Sequence, residues 1–194
     1  VVIEAATKYT VGHSDAMLGT VTVATEDHYQ LLKGMANSYG YHAAPDDCYL
    51  GQRGLRTIGV RLERHQKNAL EIATWLQGRD EVARVMYPAL PSDPGYALWK
   101  RDFSGASGLM SIELVDAPRN AVAAMIDSYD LFGIGASWGG YESLVLASYP
   151  EKTRSASPWT GSGPVVRYHI GLEDTADLID NLIVGFDRFN AARK

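Results

Sequence analysis

Lys8 lies between the apolar run Val1, Val2, Ile3 and a polar, glycine-bounded stretch that ends at Gly19. A charged side chain follows a strand-like run inward only when it is paired or neutralised. Schiff-base chemistry meets that condition. The neutral amine attacks a carbonyl, and desolvation or a nearby cation favours the neutral form. Thr7, Tyr9, His13 and Ser14 flank the lysine as ligands or orienting groups in that reading. A solvated lysine at a strand end is the commoner case, and Lys8 alone decides nothing.

Two further stretches carry side chains that could do chemistry. In GASWGGYESL, residues 135–144, Ser137 and Trp138 precede two adjacent glycines. A tight turn between two strands is the plain reading. Paired glycines also suit close approach by another group, and a plain turn does not select Trp138. In VVRYHIGLED, residues 165–174, period-two alternation puts Arg167 on the same face as Val165 and His169. On a half-exposed sheet that arginine reaches solvent. Facing a cleft, its planar fork suits a carboxylate held through two bonds.

Other chemistries lack support. His13, His28, His42, His65 and His169 show no pair at ligand spacing, and Cys48 has no partner cysteine. Cys48 reads as a small packed side chain. The sequence contains no G-x-S-x-G, no Walker-type loop and no dinucleotide fingerprint.

The elements that must position these groups follow from the patterning. The 194 residues, 46% hydrophobic and 21% charged, are enough for a sizeable core. A net charge of −5 without a basic stripe argues against nucleic-acid binding. No apolar run approaches the roughly 18 residues of a membrane span. A single cysteine points to a reducing, cytoplasmic compartment. The chain begins with Val1 inside a strand-like run, which suggests that it is part of a longer protein.

Residues 1–3 and 20–24 read as strands. Thr25 reads as an N-cap for a helix that starts with Glu26 and Asp27 and carries Leu31, Leu32, Met35 and Tyr39. Residues 40–47 read as a loop. Apolar positions from Leu55 to Leu76 recur at three- and four-residue steps, predicting one long helix to Gln77, bent near Gly54 or Gly59 and closed by Gly78. Strands are expected over 82–87, 108–115, 131–135, 144–149 and 165–170, and helices over 119–129 and 174–190. Residues 88–95 and 154–163 read as irregular. Short consecutive strands with two helices predict an antiparallel sheet with helices on one face. The division is placed near residue 78: residues 1–78 close a larger α/β domain and add a connecting helix, and residues 79–194 form a small α+β domain.

Three stretches in order resemble a known family. TKYTVGHSDAMLG, GQRGLRTIGVRLERH and SWGGYESL with VRYHIGLEDTADLIDNL are similar to the transsulfuration-type enzymes of cysteine and methionine metabolism, which depend on pyridoxal 5'-phosphate (PLP). The resemblance runs through essentially the whole chain. SWGGYESL and RDFSGASGL look most like the bacterial cystathionine β-lyases, whereas synthases and γ-lyases more often carry leucine where Trp138 stands. The resemblance implies the C-terminal part of a fold-type I PLP enzyme. Lys8 then matches the lysine that holds the cofactor covalently and later moves the substrate's α-proton. Thr7 matches a hydroxyl expected to contact the cofactor phosphate. Ser137 and Trp138 match residues on the substrate side, and Arg167 the arginine that clamps the substrate α-carboxylate. The implied reaction is α,β-elimination of cystathionine to homocysteine, pyruvate and ammonia, within methionine biosynthesis, in a homotetramer. Thr10 departs from an aliphatic family position. The groups that the family draws from its N-terminal half, among them the glycine-rich phosphate loop, do not occur in these residues. The alternatives are another lyase or synthase of the family, and an inactive piece that only self-associates. Neither a metal nor a nucleic acid is implied.

Overall fold

A computed structural model describes all 194 residues, and its backbone divides into two units, Val1–Gly59 and Val60–Lys194. In the first, β1 (Val2–Glu4) pairs antiparallel with β2 (Thr20–Thr22), placing Ile3 opposite Val21. Helix α1 (Glu26–Tyr39) starts where Thr25 accepts the His28 N–H, with Glu26 and Asp27 at the positive end of the helix dipole. It ends where Gly40, left-handed at φ 71°, donates to Ala36 and Asn37. No residue of α1 is buried.

Helix α2 (Pro45–Leu55) begins inside the expected loop, with Pro45 at its first turn followed by Asp46 and Asp47. The single long helix predicted from periodicity is two helices. Thr57 donates both its N–H (3.0 Å) and its hydroxyl (3.2 Å) to the Gly54 carbonyl, which closes α2. Helix α3 (Ile58–Leu76) then starts afresh. Three- and four-residue steps run on across this break, so periodicity could not mark it.

The buried stripe of α3 changes character along its length. Arg61, His65 and Asn68 are buried in its first half, Ile72 and Leu76 in its second. That stripe packs within the second unit, which begins at Val60.

The second unit holds a five-stranded sheet in the order β3 (Val82–Met86), β4 (Leu109–Leu114), β7 (Val165–His169), β6 (Leu144–Ser148), β5 (Gly133–Ile134). The expected antiparallel sheet is present over four strands, and β5 adds a two-residue parallel edge beside β6. Helices α5 (Arg119–Ile126) and α7 (Thr175–Arg193) pack against each other. Met110, Ile112, Leu114, Val145, Val166 and Tyr168 join Met125, Leu178, Leu182, Phe186 and Phe189 in one buried cluster. Each large apolar side chain buried this way contributes about 1.5–3 kcal/mol. Two short helices, α4 (Tyr96–Asp102) and α6 (Pro150–Thr153), fall in stretches to which the sequence patterning assigns no element. The loop entering β7 is pinned by Glu113, which accepts the Ser162 and Gly163 N–H groups and pairs with Arg84 at 3.1 Å.

Candidate active site

Lys8 sits on a tight turn directly after β1. Its N–H donates to Ala5 O (3.1 Å), its carbonyl accepts from Gly12 N–H (2.8 Å), and Val11 donates to Ala6 O (2.9 Å). Ala6 and Val11 are buried beneath the turn while Lys8 is half-buried. From the other side, α2 presses its backbone onto the turn at Gly54. A Cβ there would run into the carbonyl oxygens of Thr10 and Val11, so only glycine permits this packing. Three backbone hydrogen bonds and the contact at Gly54 thus brace the turn that carries Lys8.

Thr7 is turned inward. Its hydroxyl donates to Leu18 O (3.2 Å) and accepts the Leu18 N–H (2.8 Å), tying the turn to the chain that enters β2. The one hydroxyl proton is spent on Leu18.

In the second unit, β7 presents Arg167 and His169 on one face, two residues apart, toward residues 135–143. Arg167 is half-buried, and its Nη2 donates to the carbonyls of Gly135 (3.2 Å), Ala136 (2.9 Å) and Ser137 (3.2 Å). Its Nε is buried and has no acceptor. Burial lowers its pKa, yet a guanidinium stays charged at neutral pH. A partly desolvated cation with a spare donor gains from a carboxylate. His169 is fully buried; its Nε2 accepts the Gly139 N–H (2.9 Å) and its Nδ1 meets Glu142 O (3.1 Å). Gly139 is left-handed at φ 90°, a conformation that only glycine adopts freely. Because β5 and β6 run parallel, residues 135–143 are not the hairpin turn of the plain reading. They must travel back along the sheet, and side chains from β7 hold them there.

The far end of that segment is anchored to the start of α7. Glu173 accepts the Ser143 N–H (2.6 Å) and hydroxyl (2.9 Å), Ser143 Oγ accepts the Gly171 N–H (2.8 Å), and Tyr141 O accepts the Leu172 N–H (2.8 Å). Helix α3 supports the same turn: His65 meets Ile170 O at 2.8 Å, and Asn68 donates to Gly171 O and Glu173 O. Burial lowers the His65 pKa, with the nearby Arg61 charge acting in the same sense.

Arg167, Ser137 and the backbone beside Trp138 are therefore brought together within the second unit, while Thr7 and Lys8 are neighbours in the first. The sequence patterning gives no site role to His65 and His169, which it names only as unpaired histidines and as a neighbour of Arg167, and it does not single out Asn68 or Glu173. One signal was available. Polar residues at 61, 65 and 68 occupy the buried stripe of α3, where an apolar pattern was assumed to continue.

The sequence model of the family described as Cys/Met metabolism PLP-dependent enzyme matches residues 1–187. The chain belongs to this family. It is 47% identical over 190 residues to a cystathionine beta-lyase of Salmonella typhimurium, covering 96% of this chain and 48% of that protein. It is 40% identical over 184 residues to a mouse cystathionine gamma-lyase, covering 91% and 46% respectively. Among solved structures, a cystathionine gamma synthase from Xanthomonas oryzae pv. oryzae, in complex with cystathionine, superposes with a TM-score of 0.88 at 35% identity, over 98% of this chain and 50% of that one. The chain thus spans about half the length of the relatives it matches. The family depends on PLP. The residues present fit that group in two respects: Lys8 has a primary amine and stands on a hydrogen-bonded turn, and Arg167 keeps a buried, unpaired donor. No helix is long and apolar enough to cross a membrane.

Proposed function

We propose that this chain supplies the lysine and the carboxylate-binding arginine of a PLP-dependent carbon–sulfur lyase that acts on cystathionine by α,β-elimination. The observation that carries the reading is Arg167. It is partly desolvated, fixed by three carbonyls of the Ser137–Trp138 segment, and left with an unpaired Nε. Bound PLP supplies the electron sink that makes the α-proton of an amino acid acidic. Lys8 would hold the cofactor and, once the substrate amine has displaced its Nζ, would take the proton from the substrate α-carbon on that freed Nζ. Arg167 binds the α-carboxylate and orients that proton. Ser137 and Trp138 line the substrate side. Cleavage of the β-carbon–sulfur bond releases homocysteine, and water converts the remaining three carbons to pyruvate and ammonia. Thr7 would reach a phosphate only by exchanging Leu18 O for a phosphate oxygen. A homotetramer, as the resemblance implies, belongs to the same proposal.

A second reading, cleavage on the γ side of the substrate, draws support from the 40% identity to the mouse gamma-lyase and the similarity to the gamma synthase. One pocket aromatic does not fix the site of cleavage. The deciding experiment is product analysis of the full-length enzyme with cystathionine. Pyruvate with homocysteine is expected. 2-Oxobutyrate with cysteine would replace the β-elimination reading by the second.

A further inference from the structure

His169 is a fully buried side chain that grips residues 135–143 at both Gly139 and Glu142. An amide N–H can only donate, so Nε2 facing Gly139 carries no proton. A carbonyl can only accept, so Nδ1 facing Glu142 carries one. The surroundings therefore specify a single neutral tautomer. No rotation of the ring by half a turn satisfies both bonds. Tyr141 O and Ser143 are held separately by the turn that follows β7, and residues 135–137 by Arg167. Between those anchors, the grip on Gly139 and Glu142 comes from His169. Its own ring is packed against the His65 ring, with centroids 5.2 Å apart, and His65 is fixed by Ile170 O.

We propose that His169, in its Nδ1-protonated form, is a positioning residue: it holds the backbone of Gly139 and Glu142, and so sets where Ser137 and Trp138 stand relative to Arg167. The inference rests on the substrate-side reading of those three residues. His169 touches no reacting atom and acts through the segment. Its loss should weaken substrate binding while leaving attachment of the cofactor at Lys8 unchanged, because Lys8 is held by its own turn.

The test uses the full-length enzyme with His169→Ala, His169→Gln and His169→Asn. Glutamine can place an oxygen where Nε2 accepts from Gly139, and asparagine can place an N–H where Nδ1 donates to Glu142. Amide hydrogen exchange is followed by mass spectrometry over residues 135–143, with β4 and α7 as internal references, alongside KM and kcat for cystathionine. In the alanine variant, exchange in 135–143 is expected to quicken while the references stay unchanged. KM should rise about tenfold, the scale set by one lost buried hydrogen bond, with a smaller change in kcat. The glutamine and asparagine variants should each recover part of the protection, glutamine at Gly139 and asparagine at Glu142. If exchange over 135–143 matches wild type in all three variants, the proposal is overturned. Faster exchange with an unchanged KM also overturns it, because the segment would then not present groups to substrate. If the wild-type enzyme does not turn over cystathionine, the functional reading fails by itself. The exchange comparison then still decides whether His169 holds the segment.

Discussion

Residues 1–59 and residues 60–194 hold their candidate functional side chains in opposite ways. The second unit mounts Arg167 and His169 on a strand whose Val166 and Tyr168 enter the buried cluster, and ties both to residues 135–142 by hydrogen bonds. The first has hardly any core. Ala6 and Val11 are its buried apolar residues, while Val2, Ile3, Met17, Leu31 and Tyr39 are exposed. An apolar groove of about 560 Å³ lies open between β2 and α1, lined by Val21, Val23, Leu32, Met35, Tyr39 and Tyr41. None of the expected site residues lines it. Apolar faces of this extent are unfavourable in water and call for a cover. The relatives are about twice as long as this chain, so more polypeptide is available in proteins of this kind to provide one. What the first unit does possess is the Lys8 turn, whose rigidity comes from backbone bonds and the contact at Gly54 rather than from bulk packing.

The contrast can be tested at four places, in decreasing order of expected effect. Leu182 is fully buried and Leu31 is exposed. Leu182→Ala should cost about 2–5 kcal/mol by the cavity it leaves. Leu31→Ala should stay within about 0.5 kcal/mol in this chain, since no partner is lost. Urea midpoints on the two variants check both. Equal losses would mean that the first unit has packing not described by its exposure.

Gly54→Ala should cost about 1–3 kcal/mol, because the added methyl meets two carbonyls that cannot give way cheaply. It should also displace the Lys8 turn, read as faster exchange of the Val11 and Gly12 amides. Next, Arg167→Lys removes the planar fork and the grip on three carbonyls. In the full-length enzyme KM for cystathionine should rise about tenfold or more, while PLP affinity stays put. Unchanged substrate kinetics would remove the carboxylate-binding role.

The smallest effect is on pH dependence. Burial depresses the folded-state pKa of His65 below its ordinary value. The unfolded state therefore binds the proton more readily. Stability from this group is complete above about pH 6.5 and is lost as pH falls further. His65→Asn keeps a donor for Ile170 O and cannot titrate, so it should flatten the loss of stability between pH 6.5 and the lower folded pKa. Chemical denaturation across that range checks the slope. An unaltered slope would assign the acid sensitivity elsewhere.

Strand β4 was legible because Met110, Ile112 and Leu114 alternate along it and all three are buried. The Thr25 cap and the Gly40 stop were legible because capping depends on one or two side chains. The break between α2 and α3 was not, since a Thr57 bond to Gly54 O ends a helix without disturbing its spacing. Nor was the parallel course of β5, which depends on where β6 lies and not on the residues between them. For the site, residue type pointed to Lys8 and Arg167 because a lysine after an apolar run and an arginine within a strand both need an explanation. His169 stayed hidden. A histidine at a buried strand position looks like ordinary core until its two backbone partners, 27 and 30 residues away, are seen.

The central claim is that Lys8 is the residue that carries PLP. The full-length enzyme should be incubated with PLP, reduced with borohydride and digested, and the peptides weighed. The account predicts a single cofactor-sized increment on the peptide that contains Lys8, and none in a Lys8→Ala variant. An increment on Lys33, Lys67, Lys100, Lys152 or Lys194 instead, or one that survives Lys8→Ala, would contradict it.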